Sequence, residues 1–123
     1  MKDPLKQTTI VFGAAIDRGR EAMWRPAADI YRTQTGWLVK FSLAGVKVED
    51  IKINISGSSI TIDGVRRDWQ LEEGCSHYSM EISYSRFERT LEFPCTLDGA
   101  RMDLESREGL LLVRLHCKET NRE

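Results

Sequence analysis

From Ile30 to Lys118 apolar and polar residues alternate with a period of two, and no stretch settles into a helical period. Ile30, Trp37-Val39-Phe41-Leu43, Ile51-Ile53-Ile55, Ile60-Ile62, Tyr78-Met80-Ile82-Tyr84 and Leu111-Val113-Leu115 each turn one face inward and one outward. Gly36, Gly45, Gly57, Gly64, Gly74, Gly99 and Gly109 punctuate these runs where turns are needed. The spacing predicts strands over 29–34, 36–44, 50–56, 59–66, 78–93, 100–106 and 110–117, the fifth bent or broken near Ser85-Arg86 and stopped by Pro94. The fold class is all-β: an immunoglobulin-like antiparallel β-sandwich of the ~100-residue kind, with a short N-terminal arm.

The arm, residues 1–23, departs from the strand pattern. Phe12, Ile16 and Met23 share a face at helical spacing, while Gly13 and Gly19 each weaken a helix by ~1 kcal/mol relative to Ala. A flexible or partly helical arm is expected, with a disordered leader as the plain alternative. Trp24-Arg25-Pro26 opens the sandwich, which runs over 24–118, and 119–123 form a short tail.

One connection is out of proportion. The stretch from Arg66 to His77 is long for a loop between sandwich strands, and it carries Trp69 and Leu71 on one side of a brief alternation. Side chains of that size need a dry surface, so the loop is expected to dock on a partner chain, with folding back over its own sandwich as the plain alternative. Two other features need cover from outside the sheet. Leu110-Leu111-Leu112-Val113 is apolar on both faces, and Arg89 falls in phase with the apolar residues of its strand. A guanidinium there calls for a carboxylate partner, unless it merely snorkels to water.

Composition narrows the function classes. Lys plus Arg number 18 against 19 Asp plus Glu, a net charge of −1 with the signs interspersed. That is neither the basic footprint of a nucleic-acid binder nor a polybasic invitation to anionic lipid, so neither partner is expected. Cys75, Cys95 and Cys117 are odd in number and widely spaced, which fits a reducing cytoplasm better than a secreted disulfide framework. The apolar run from Ile10 to Ile16 is too short for a membrane span and too poorly flanked for a signal peptide; no targeting segment is expected.

No catalytic set assembles. His77 and His116 are the only histidines, and His116 and Cys117, adjacent in a strand, point to opposite faces. No paired ligand motif suggests a metal, and Gly57-Ser58-Ser59 is a hairpin signal without phosphate-loop spacing. No cofactor and no enzymatic activity are expected.

Taken in order, the blocks resemble the small heat-shock proteins, in particular their bacterial type, which are built on the α-crystallin domain. Trp24-x-Pro26-x-x-Asp29-Ile30-Tyr31 is similar to the start of that domain, and Leu43-Ala44-Gly45-Val46 with Glu49-Asp50-Ile51 to the turn after its second strand. Ile60-Thr61-Ile62-x-Gly64-x-Arg66 resembles the strand leading into its long loop. Tyr78, Glu81, Ser83-Tyr84, Phe87, Arg89 and Phe93-Pro94 have the spacing of its central strand, and Gly109-Leu110-Leu111 its closing signature. Ala44, Leu104 and Glu108 stand where the family commonly has Pro, Ala and Asn. The family's C-terminal Ile-x-Ile/Val motif is not found after Lys118.

The resemblance implies an ATP-independent holdase that binds partly unfolded proteins through apolar surface. The residues expected to meet clients are Ile10, Val11, Phe12 and Ile16 in the arm, and Leu110 and Leu112 with Ile51, Ile53 or Met102 along a groove. The resemblance also implies a homodimer in which Trp69 and Leu71 pair with the strand at Asp29-Ile30-Tyr31 of the other subunit, with Arg89 at or near the interface. A dimer or a small assembly of dimers is expected rather than a large shell. Two rivals are a scaffold or co-chaperone-like module of the same fold and a small redox or metal protein using the three cysteines.

Overall fold

The structure is a computed structural model, and it describes the main chain of residues 7–11 together with residues 23–68 and 72–117. Eight strands are described: β1 (Gln7–Val11), β2 (Ala28–Arg32), β3 (Gly36–Ser42), β4 (Ile51–Ser56), β5 (Ser59–Val65), β6 (Arg86–Glu92), β7 (Arg101–Arg107) and β8 (Leu110–His116). They form two four-stranded sheets, ordered β1-β4-β5-β6 and β2-β3-β8-β7, with antiparallel pairing throughout. This is the all-β sandwich that the alternation predicts.

The alternation becomes burial in the inner strands. Trp37, Val39 and Phe41 of β3, Ile51, Ile53 and Ile55 of β4, Ile60 and Ile62 of β5 and Leu111, Val113 and Leu115 of β8 form the shared core. Each such side chain, moved fully out of water, contributes about 1.5–3 kcal/mol. Two aromatic pairs fix the ends: Trp37 meets Phe93 edge-on at 5.1 Å, and Trp24 tilts against Phe87 at 5.2 Å.

Two hairpins follow their turn residues. Gly57 at φ 62° starts the β4–β5 turn, and Glu108 (φ 52°) with Gly109 (φ 82°) closes β7–β8 with both central residues in the positive-φ region. Gly64 corrects the punctuation reading, because it lies inside β5. A Cβ there would run into the carbonyl of Asp50 and come within 2.7 Å of the Phe87 ring. Close packing, not a turn, asks for glycine.

Three further expectations are corrected. The long strand over 78–93 is only Arg86–Glu92, and Tyr78 to Ser85 is irregular. The alternating row Tyr78, Met80, Ile82 and Tyr84 is exposed, so the pattern records a face that needs cover without finding it in this chain's core. In the arm, Gln7–Val11 is a strand on the edge of β4. The β-branched run Thr8-Thr9-Ile10-Val11 carried that signal. Most of the helix expected through Phe12 and Ile16 falls outside the described residues.

Candidate interaction surface

Surface stickiness in a sandwich is decided at its edges, where main-chain N–H and C=O groups lie open. The edge at β7 is guarded by charge. Arg107 and Arg114 hold Glu105 at 2.8 and 2.9 Å, lowering its carboxyl pKa, and Arg101 lies 3.4 Å from Asp103. Asp103 also meets His116 Nε2 at 3.1 Å, whose Nδ1 is 3.0 Å from the Thr35 hydroxyl. That surface is solvated and self-paired.

The edge at β2 is different. Asp29, Ile30, Tyr31 and Arg32 are all exposed, so the strand shows apolar area on both faces, Ile30 at 40% and Tyr31 at 44%. Lys40 Nζ sits 4.8 Å over the Tyr31 ring and caps it only in part. Among the described residues nothing pairs with the outer edge of β2.

A second apolar row lies along 78–84: Tyr78 is 99% exposed, Met80 48% and Ile82 59%. The base of this loop is pinned even though its middle is open. Arg66 donates from Nε to the Ala44 carbonyl and from Nη1 to the Ser83 carbonyl, both at 3.0 Å, and its guanidinium stacks 4.1 Å over Trp24. Burial lowers its pKa, an effect that Tyr84 opposes. Trp24 Nε1 donates to the Ser85 carbonyl at 3.1 Å, and Arg67 grips buried Asp50 through two bonds of 3.0 and 3.2 Å. The hydrogen bond to Asp50 raises the Arg67 pKa. None of these anchors stood out in the sequence beyond the Gly64-x-Arg66 spacing; bonds to carbonyls leave no side-chain partner to read.

The expected site residues divide. Asp29, Ile30 and Tyr31 are together on the open edge, whereas Trp69 and Leu71 lie outside the described residues, as do Phe12 and Ile16. Ile10 and Val11 pair by main chain with Ile53 and Lys52. Ile51 and Ile53 are core residues, which corrects their placement on an open groove. Leu112 is also corrected: it faces away from the core between Lys40 and Glu105 but is only 7% exposed. Leu110 and Met102 are half-buried, Met102 against the core.

Arg89 is half-buried, and the acceptor at its Nη1 is the Pro26 carbonyl at 2.8 Å, not the expected carboxylate. Arg86, three residues back, is buried, with Nη1 3.7 Å from Met23 Sδ and no acceptor for Nε or Nη2 among the described residues. Cys75 and Cys95 are exposed free thiols, and Cys117 is half-buried. Among the described residues no three of His, Cys, Asp and Glu converge as metal ligands would.

Comparison with known proteins gives this surface a context. The small heat shock protein C2 of Rickettsia felis is 27% identical over 76% of this chain and 61% of its own length. Heat shock protein 16 of Schizosaccharomyces pombe is 30% identical over 73% and 64%. The chain thus spans about three fifths of the length of these curated relatives. The solved structure of heat shock protein 16.0 from Schizosaccharomyces pombe superposes with a TM-score of 0.68 at 27% identity, covering 81% of this chain and 93% of that one. The family model described as the Hsp20/alpha crystallin family matches residues 29–123, and with that span of the sandwich accounted for, the chain belongs to this family.

Proposed function

We propose that this protein is an ATP-independent holdase that binds partly unfolded chains and keeps them from aggregating. Membership of the family supports a chaperone role in general. The observation that carries the finer reading is the exposed apolar row of Tyr78, Met80 and Ile82, together with the open β2 edge, because exposed patches of this kind mark interaction sites. Ile10, Val11, Phe12 and Ile16 of the arm, with Met102 and Leu110, are the proposed client contacts.

The resting unit of this reading is a homodimer, or a small assembly of dimers, made by exchanging the loop 66–77. Trp69 and Leu71 pair with β2 of the other copy around Asp29, Ile30 and Tyr31. The unpaired β2 edge and the buried Arg86 nitrogens without acceptors support a second chain at this end of the sandwich. A cytoplasmic location is supported by the free thiols. No helix among the described residues is long and apolar enough to cross a membrane.

The test is heat-induced aggregation of a model client in ATP-free buffer. Dose-dependent loss of scattering near equimolar ratios is expected. Unchanged scattering overturns the holdase reading in favour of a scaffold module that binds one folded partner.

A further inference from the structure

We propose that Cys95 and Cys117 form a redox-sensitive thiol pair, a modification site at which a peroxide closes a disulfide between the two sheets. The proposal goes beyond the holdase reading and does not depend on it.

The two cysteines are far apart in sequence and are brought to one end of the sandwich by the fold. Cys117 directly follows β8, where its N–H donates to the Thr35 carbonyl at 2.8 Å and its side chain packs against the core. It adds one more step of two to the inward row Leu111, Val113 and Leu115. Cys95 stands at the same step after buried Leu91 and Phe93, in the connection between β6 and β7. One side chain ties the two rows together. Trp37 lies opposite Leu115 in the ladder and meets the Phe93 ring at 5.1 Å. The connection itself is held on both sides of Cys95, because Phe93 and Leu97 donate their N–H groups to the carbonyls of Ser58 and Gly57, each at 2.8 Å. The proximity is also felt electrostatically: after burial, the Cys95 sulfur is the second cause of the raised Cys117 pKa.

The thiols differ in the way a sensing pair needs. Cys95 is exposed and Cys117 is half-buried, so an oxidant in water meets Cys95 first. The Cys95 thiolate attacks one oxygen of hydrogen peroxide. The O–O bond breaks, leaving a sulfenic acid on Cys95 and a hydroxide that takes up a proton to become water. The Cys117 thiolate then attacks the Cys95 sulfur; the S–S bond forms, the S–O bond breaks, and a second water leaves. Two thiols lose two hydrogens, and one peroxide is reduced to two waters. The bond joins the sheet that ends in β6 to the sheet that holds β8, and it encloses all of β7 and β8 in a covalent loop. Closing a loop of about 20 residues restricts the unfolded chain and so favours the fold.

The test uses the full-length chain carrying Cys75→Ser, which leaves only the pair. The reduced protein is exposed to a small excess of hydrogen peroxide and then quenched with a thiol-blocking reagent. An intact mass lower by two hydrogens is expected, with a cross-linked Cys95–Cys117 peptide after non-reducing digestion and single-chain migration on a non-reducing gel. The apparent melting temperature should rise by at least about 3 °C, and dithiothreitol should reverse the rise. With Cys117→Ser added, oxidation should stop at the Cys95 sulfenic acid, which dimedone traps.

Cys95 passing to sulfinic acid while Cys117 stays a free thiol would overturn the pair. So would a Cys95 disulfide between two chains, or a 95–117 bond that forms in urea and not in the folded protein. A bond that forms and leaves the melting temperature unchanged or lower would overturn its action as a tie between the sheets.

Discussion

At the scale of single residues, this sandwich depends on a few positions where backbone comes close to a ring or a carbonyl. Gly64 is the sharpest. A methyl on Gly64 would strike the Asp50 carbonyl first and then the Phe87 ring at 2.7 Å, so Gly64→Ala forces the neighbouring backbone and ring to shift. A loss of about 1–3 kcal/mol is expected from urea unfolding, typical of overpacking. Arg89 distinguishes two kinds of burial. Its acceptor is a carbonyl and it is half-buried, so Arg89→Ala should cost about 1.5–2 kcal/mol, the lower part of the range for a charged hydrogen bond. A cost near 3–5 kcal/mol would instead signal a stranded carboxylate. Cys117 gives a chemical readout. Burial pushes its thiol pKa up, and only the thiolate reacts. At pH 8 a thiol reagent should consume Cys75 and Cys95 quickly and Cys117 last. The linked stability has a definite sign: the unfolded thiol ionises first, so as pH rises past its ordinary range of about 8.5 the fold loses this contribution, and Cys117→Ser removes that slope.

At the scale of elements, the inner strands were legible in the sequence and the edges were not. β3 and β4 each bury one face and pair on both sides, so a period of two is enforced along them and reads directly, while β5 and β8 keep that period on their core face and also bury Asp63 and Leu112 on the other. β2 lies at an edge and exposes residues of both faces, so its alternation said little about which way Ile30 points. The row Tyr78-Met80-Ile82-Tyr84 was misread for a related reason: a pattern shows that a face needs burial, not which molecule supplies it. The β1 strand was missed because apolar residues farther along the arm offered a competing helical spacing. Of the candidate site, Asp29, Ile30 and Tyr31 could be placed from sequence. The Arg66 and Arg67 anchors could not, since carbonyl acceptors and a carboxylate seventeen positions away leave no local motif. The exchange reading makes a prediction at this scale. Replacing Trp69 and Leu71 by Ser should give monomers by light scattering after size exclusion, whereas a dimer persisting at micromolar concentration would contradict the loop as the joining element.

At the scale of the whole molecule, two sheets share one core, and the edges divide the labour. β7 is guarded by paired charges, β4 is closed by the chain's own β1, and β2 is open with apolar residues on both faces. In the proposed reading, a sandwich arranged this way acts on other proteins through surface that becomes available to an extended, apolar segment. The family to which the chain belongs gives that arrangement its context, and the proposed holdase activity is its functional meaning. The most direct measurement is to heat the protein with an aggregation-prone client, without ATP, and to resolve the soluble fraction by size exclusion. The account predicts a soluble complex in which the two chains co-elute, with the client absent from the pellet. A client that pellets while this protein elutes alone at its resting size would contradict it.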